Sequence, residues 1–293
     1  MTSGETHDIL INEIAFHQMR QTGVFEGEKS LSDSVRAVDR ALEILLCFTR
    51  ERPILSLTEI AEEAGISKST AHRLLATMEN KHFLIRNPET GRYHLGYRFL
   101  EMASQVTRGA NHQWAYPYLQ KLVDTFGETV DLAVMDRDRV IYLQVLESTQ
   151  RVKIVAAVGQ RLPTHCTATG KAFLAFLPEN HRDFILKDKL ESYTDKTITN
   201  LALLNRDLEE TRRRGFSYSM EEFEKDINAV ATPILAEDGY PLAAIAIVGP
   251  TFRMPESRLE ECGAAMVGVV QKIKQEVGLG ALSIMVARDD PWH

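Results

Sequence analysis

The sequence predicts an α+β protein in two modules: a small winged helix-turn-helix, then a larger domain built on an antiparallel sheet, with a helix linking them. Three observations carry that prediction. The chain has 293 residues, enough for two domains at roughly 100 to 200 residues each. Two segments of helical periodicity meet at Gly65 and are followed at once by two strand-like runs around a turn-rich loop. Further on, two alternating apolar runs flank the charged turn Arg137-Asp138-Arg139, the pattern of paired antiparallel strands.

In the first module, Val35, Val38, Leu42, Leu45, Leu46 and Phe48 recur at three- and four-residue spacings, which predicts an amphipathic helix over 35–48 with these residues inward and Ser34 as its N-cap. Arg52-Pro53 breaks it. Ser56-Leu57-Thr58-Glu59 has capping-box spacing and starts a short second helix, with Leu57, Ile60, Ala61 and Ala64 inward. That helix stops at Gly65, which accepts the left-handed backbone of a helix terminus, and Ile66 plugs the turn. Ser67 caps a third helix whose Ala71, Leu74, Leu75 and Met78 face the core. Lys68, Ser69, Thr70, His72 and Arg73 are left outward or at its N-terminal end. Strands at 83–86 and 93–95 then enclose Asn87-Pro88-Glu89-Thr90-Gly91-Arg92 and form the wing. A third helix of small polar and basic residues suits a DNA major groove, about 12 Å wide, while Arg86 and Arg92 on the wing suit flanking phosphates. Helix-turn-helix shapes also serve as plain packing units with a solvated polar face, and spacing alone leaves both readings open.

Composition bounds the function. At 44% hydrophobic, 26% charged and 8% aromatic, usage is that of an ordinary globular chain, which excludes disordered and collagenous classes. No run approaches the roughly 18 apolar residues of a membrane span, and Glu5, Asp8 and Glu13 stand where a secretory signal would be basic and then apolar. A cytoplasmic protein with no membrane partner is expected. Cys47, Cys166 and Cys262 are too few and too scattered for a disulfide framework and read as free thiols. A net charge of −7 argues against a nucleic-acid partner, yet residues 31–96 carry nine basic and nine acidic side chains and are the least acidic part of the chain. What matters is whether those cations share a face.

In the second module, 97–109 is helical in pattern, with Phe99, Leu100, Ala103 and Val106 on one face, and forms the link. A helix at 116–126 leads into strands at 129–136, 140–147 and 152–158. Two more, at 229–234 and 241–247, flank the turn Glu237-Asp238-Gly239, and a closing helix spans 257–277. In Pro163-Thr164-His165-Cys166-Thr167-Ala168-Thr169-Gly170-Lys171 an irregular, small-residue segment turns into a helix. Its unpaired N–H groups suit an anion such as a carboxylate. A phosphate P-loop is excluded, since His165 stands where a Gly is needed and Ala172 follows Lys171. Cys166 beside His165 invites a nucleophile reading, but a lone Cys is more often a small buried hydrophobe. His165, Cys166 and a carboxylate such as Asp131 lack the spacing of a zinc site, so neither metal nor cofactor is expected. Glu221, Glu222 and Asp226 read as structural charges.

The segments 34–42 (Ser34-Val35-Arg36-Ala37-Val38-Asp39-Arg40-Ala41-Leu42), Leu57-Thr58-Glu59-Ile60-Ala61, Gly65-Ile66-Ser67-Lys68-Ser69-Thr70-Ala71-His72-Arg73-Leu74-Leu75 and Tyr93-His94-Leu95-Gly96 together resemble the IclR-type transcriptional regulators, over about residues 34 to 278. The resemblance implies a winged helix-turn-helix that binds double-stranded DNA at a palindromic operator, joined by a linker helix to a GAF-like effector domain with an antiparallel sheet. It implies a homodimer or a dimer-of-dimers tetramer, and a repressor of a catabolic operon answering to a small-molecule effector. The DNA-contacting positions would be Arg36, Ser67, Lys68, Ser69, Thr70, His72, Arg73, Arg86 and Arg92. The effector positions would be the loop Cys166, Thr167, Ala168, Thr169 and Gly170, then Ser219, Ile227 and Ala229, then Ala246 and Val248. Members that take very small keto acids tend to have Ser at the last two positions and an acid at the place of Ser219. Ala246 and Val248 therefore favour a larger carboxylate-bearing ligand with an aromatic or sugar-acid body. The expected domain plan is an extension over 1–30 in which Ile9, Leu10, Ile11, Ile14 and Phe16 suit an extra helix or a frayed tail, a DNA-binding domain over 31–96, a linker helix over 97–110, an effector-binding and oligomerisation domain over 111–278, and a tail over 279–293. The rival reading is a thiol or redox enzyme acting through Cys166, with the winged helix as an interaction module.

Overall fold

The computed structural model describes residues 35–49, 51–109 and 112–277. The expected extension 1–30, the Ser34 cap and the tail 279–293 lie outside the described residues. The chain divides after Val106 into two compact units.

In the first unit, α1 (Arg36–Leu46) is followed by β1 (Ile54–Leu55), α2 (Leu57–Glu63), α3 (Lys68–Asn80), β2 (Leu84–Arg86) and β3 (Tyr93–Leu95). The capping box forms, with Ser56 accepting from the Glu59 N–H and the Glu59 carboxylate accepting from the Ser56 N–H. Gly65 takes a φ of +62° and reverses the chain between α2 and α3. Ile44, Leu55, Ile60, Ala71, Leu75 and Leu84 make the buried centre. Sequence periodicity missed β1, which is only two residues long yet pairs Ile54 with His94 and Leu55 with Tyr93 and so widens the wing to three strands, in the order β1-β3-β2.

The inward face expected for α1 is corrected. Ile44, Cys47 and Phe48 are buried, with Ala41 and Leu45 packed beside them, whereas Val35, Val38, Leu42 and Leu46 are each more than half exposed. The helix carries two apolar stripes at helical spacing, and only one of them can meet α2 and α3.

α4 (Arg98–Gly109) carries the chain into the second unit, where a 3₁₀ turn (His112–Ala115) leads to α5 (Tyr116–Phe126), β4 (Thr129–Asp136), β5 (Arg139–Leu146), β6 (Arg161–Pro163), α6 (Ala168–Phe176), α7 (Glu179–Ile185), α8 (Leu201–Arg214), β7 (Ser217–Met220), β8 (Ile227–Leu235), β9 (Pro241–Pro250) and α9 (Glu256–Val277). The six strands form one antiparallel sheet in the order β6-β5-β4-β9-β8-β7. One sheet face presents Val130, Leu132, Val230, Ile245 and Ile247 to α5 and α9. The other receives α6, whose outer side packs on α8 through Leu174, Ala175, Leu204 and Leu208. This is an α+β arrangement in three layers.

The strand expected at 152–158 does not form. The edge of β5 is taken instead by β6, pairing Val140 with Leu162, and the 152–158 segment passes over the sheet face as irregular chain. Thr129 Oγ1 donates to the Ile154 carbonyl (2.9 Å) and Arg253 Nη2 to the Val152 carbonyl (2.7 Å), so the loop is tied at two points. Apolar alternation reports burial, and this loop half-buries Ile154 and Ala156 over a cavity while Val152 and Val158 stay exposed.

Candidate functional site

The DNA-reading candidate is the start of α3. Ser67 Oγ accepts from the Thr70 N–H (3.3 Å) and lies 3.0 Å from Ser69 Oγ and 2.9 Å from Thr70 Oγ1, so one capping residue holds the whole first turn. Lys68, Ser69, His72 and Arg73 are exposed beside it, and Thr70 is half-buried. Neither Lys68 nor Arg73 has an ion-pair partner among the described residues. Arg36, on α1, is exposed as well. On the wing, Arg86 sits over the Tyr93 ring, 5.8 Å from its centroid. Arg92 departs from the expected free cation. Its Nη2 donates to both Glu59 carboxylate oxygens (2.9 and 3.2 Å) and to the Ile54 carbonyl, tying the wing to α2 and β1. Hydrogen bonds from Ser56, and then the charge of Arg92, hold the Glu59 carboxyl down at about 2.

The second site is a cavity between the start of α6 and the sheet, about 600 Å³ including the open space at its mouth. Thr167, Ala168 and Thr169 form its helix side, Ser219, Ile227 and Ala229 one flank, and Ala246 and Val248 the floor. Strand register brings the floor and flank together, because Val248 pairs with Ala229 on one side and Thr129 on the other. Two of the expected effector residues are not at the wall. Cys166 is fully buried behind it, where burial and the charge of Glu222 push its thiol up and only its carbonyl, accepting from Ser219 Oγ (2.8 Å), meets the wall residues. Gly170 faces away, since a Cβ there would run into the Thr164 backbone, so its lack of a side chain lets the loop cross the helix closely.

Two comparisons decide what this pair of units is. The family model for the IclR helix-turn-helix domain matches residues 37–88, and the model for the bacterial transcriptional regulator IclR C-terminal domain matches residues 106–275. The chain belongs to the IclR family. This IclR-family regulator is 33% identical to the acetate operon repressor of Salmonella typhimurium, over 85% of this chain and 92% of that protein. The crystal structure of Thermotoga maritima IclR aligns with a TM-score of 0.69 at 33% identity, covering 82% of this chain and 98% of that one. An IclR homologue from Microbacterium hydrocarbonoxydans, solved in complex with 4-hydroxybenzoate, aligns with a TM-score of 0.70 at 27% identity, over 82% of this chain and 99% of that one. The relatives are transcriptional regulators and repressors with DNA-binding helix-turn-helix domains.

Several wall residues of this IclR-family cavity have no strong sequence signal. Tyr142 and Leu162 come from the β5 and β6 side, Ile154 and Ala156 from the covering loop, and Phe223 and Glu224 from the turn after β7. Phe223 and Glu224 lie between Ser219 and Ile227, the one hint that was available. Their turn is anchored by Glu222, whose carboxylate takes the buried Lys171 ammonium at 2.6 Å, while Asp207 of α8 holds the same ammonium at 2.7 Å. Burial raises the Glu222 carboxyl and Lys171 draws it back. Glu221 pairs instead with Lys196 at the surface. His165 is spent elsewhere, its Nε2 lying 2.8 Å from the Glu191 carbonyl. Among the described residues no helix is long and apolar enough to cross a membrane, and no group of three or more His, Cys, Asp or Glu is arranged to hold a metal ion.

Proposed function

We propose that this regulator is a repressor of a catabolic operon, bound in the cytoplasm to a palindromic operator and controlled by a small carboxylate-bearing metabolite, aromatic or sugar-acid in body. The observation that carries the reading is the assembly of eight of the ten expected effector positions on one cavity wall at the N-terminus of α6. An apolar floor with donors at one end suits an acid with an apolar body, as the 4-hydroxybenzoate complex of the Microbacterium homologue also suggests. On the DNA side, the residues proposed to read base edges are Ser69, Thr70, His72 and Arg73, with Arg36, Ser67, Lys68 and Arg86 on the backbone. Arg92 joins them only by exchanging Glu59 for phosphate.

Two copies are proposed to act together, since one winged helix touches few base pairs and two related by a twofold axis read an inverted repeat with half-sites about one helical turn apart. The exposed stripe Val35, Val38, Leu42 and Leu46 on α1 supports self-association. The test is effector affinity measured by calorimetry with and without operator, after a thermal-shift screen of aromatic and sugar acids has supplied a ligand. Control of DNA occupancy requires different affinities in the two states. Equal affinities would sink the regulatory reading.

A further inference from the structure

The sheet face that floors the cavity carries a feature that a receptor for a simple acid does not need. Asp131 lies on β4 with a relative exposure of 0%, and both of its carboxylate oxygens are buried without a hydrogen-bond partner among the described residues. Its place is set by register. Asp131 pairs with Ala246 of β9, so the two side chains share a sheet face, and Ala246 is the cavity floor. Two residues on, Ala133 pairs with Tyr142, another wall residue, on that same face. The flanking Val130 and Leu132 point the other way, into the core under α5 and α9. Asp131 is therefore aimed at the cavity.

A second carboxyl comes from the turn after β7. Glu224 lines the wall and has no ion-pair partner among the described residues. Two of the wall hydroxyls are already occupied: Thr167 Oγ1 donates to the Pro163 carbonyl and Ser219 Oγ to the Cys166 carbonyl. The nearby cation Lys171 is spent on Glu222 and Asp207, and among the described residues no lysine or arginine lines the wall. The helix side of the wall supplies the first-turn N–H groups of Ala168 and Thr169, which a helix leaves without internal acceptors.

We infer that the effector is amphoteric, with a carboxylate received at the start of α6 and an ammonium group received by Asp131 and Glu224. An ammonium supplies three donors, enough for two acceptor-only carboxylates, whereas a hydroxyl supplies one. A buried carboxylate with no partner is costly, and a ligand cation is the partner the fold omits. Burial pushes both the Asp131 and Glu224 carboxyls up, the direction expected of acids withdrawn from water without a counter-ion. The inference rests on the proposed effector cavity and narrows its ligand class.

The test compares matched probes of graded length. β-Alanine, γ-aminobutyrate, δ-aminovalerate and ε-aminocaproate are set against butyrate, valerate, caproate and heptanoate, in which a methyl replaces the ammonium. 4-(Aminomethyl)benzoate is set against 4-ethylbenzoate and 4-(hydroxymethyl)benzoate. Calorimetry on the full chain should find at least one amino member bound tenfold or more tighter than each of the counterparts set against it, with the preference lost in Asp131→Asn and reduced in Glu224→Gln. Without ligand, Asp131→Asn should melt at the same temperature or higher, because among the described residues the carboxylate makes no hydrogen bond that the amide would lose. The inference is overturned if the counterparts bind as tightly, if no amino member binds, or if Asp131→Asn lowers the melting temperature as a structural group would. Counterparts that bind and release operator would leave the regulator reading standing while this inference fails.

Discussion

At the residue scale, what a charged side chain does depends on whether the fold has already given it a partner. Among the described residues Arg73 and Lys68 have no ion pair beside a first turn that Ser67 holds in place, and we propose that their charge meets an incoming duplex. Arg73→Ala should therefore weaken specific operator binding by about 1 to 3 kcal/mol while leaving the melting temperature unchanged. Fluorescence anisotropy with operator and with random DNA measures both, and undiminished discrimination would reject the assigned helix. Arg92 on the wing is the counter-example, because Glu59 already holds it. The Glu59 carboxyl sits lower in the folded protein, at about 2, than its usual value of 4.5, so it favours the folded state above the higher value, and that contribution fades as pH falls towards the lower one. Glu59→Gln should flatten the stability profile of the N-terminal unit between pH 5 and 2, followed by circular dichroism in urea. An unaltered acid limb would show that the Ser56 and Arg92 bonds do not persist in solution.

At the scale of elements, α6 joins two jobs in one turn. Its first residues line the cavity while the next ones pack against backbone, so neighbouring substitutions should fail differently. Ala168→Trp places bulk in the cavity and should abolish effector binding while operator affinity holds, a non-inducible protein. Gly170→Ala drives a Cβ into the Thr164 backbone, and overpacking of this kind typically costs about 1 to 3 kcal/mol. A calorimetric scan should show a lower melting temperature for Gly170→Ala and little change for Ala168→Trp. The reverse order would mean that the loop, and not the cavity, occupies the space around Ala168.

At the scale of the whole molecule, each unit has its own core, and α1 leaves an apolar stripe that neither α2 nor α3 covers. Four aliphatic groups at helical spacing have the pattern of a self-complementary seam, and we propose that a second copy covers them. Leu42→Lys should shift sedimentation towards smaller species or, where effector domains alone hold the copies together, leave the mass unchanged and cut operator affinity at least tenfold by freeing the two reading heads from one another. Unchanged mass and unchanged operator affinity would remove α1 from the assembly.

Local rules were enough for every element whose signal is local. The Ser56 capping box, the Gly65 reversal, the Ser67 cap and the 116–126 helix are written in residue types at fixed spacings, and backbone hydrogen bonding reads them without help from distant chain. The ordered motifs of the reading helix and wing were likewise enough to find the family. Pairing at a distance lay beyond them. Which stripe of α1 turns inward, which segment takes the edge of β5, and whether Arg92 is free were settled by competition for partners 10 to 40 residues away, as in the Arg92–Glu59 pair, 33 residues apart. Asp131 shows the difference most sharply. In the sequence it is one acid in an alternating strand, and only register against Ala246, which lies more than 100 residues downstream, puts that acid on the sheet face that floors the cavity, without a hydrogen-bond partner among the described residues.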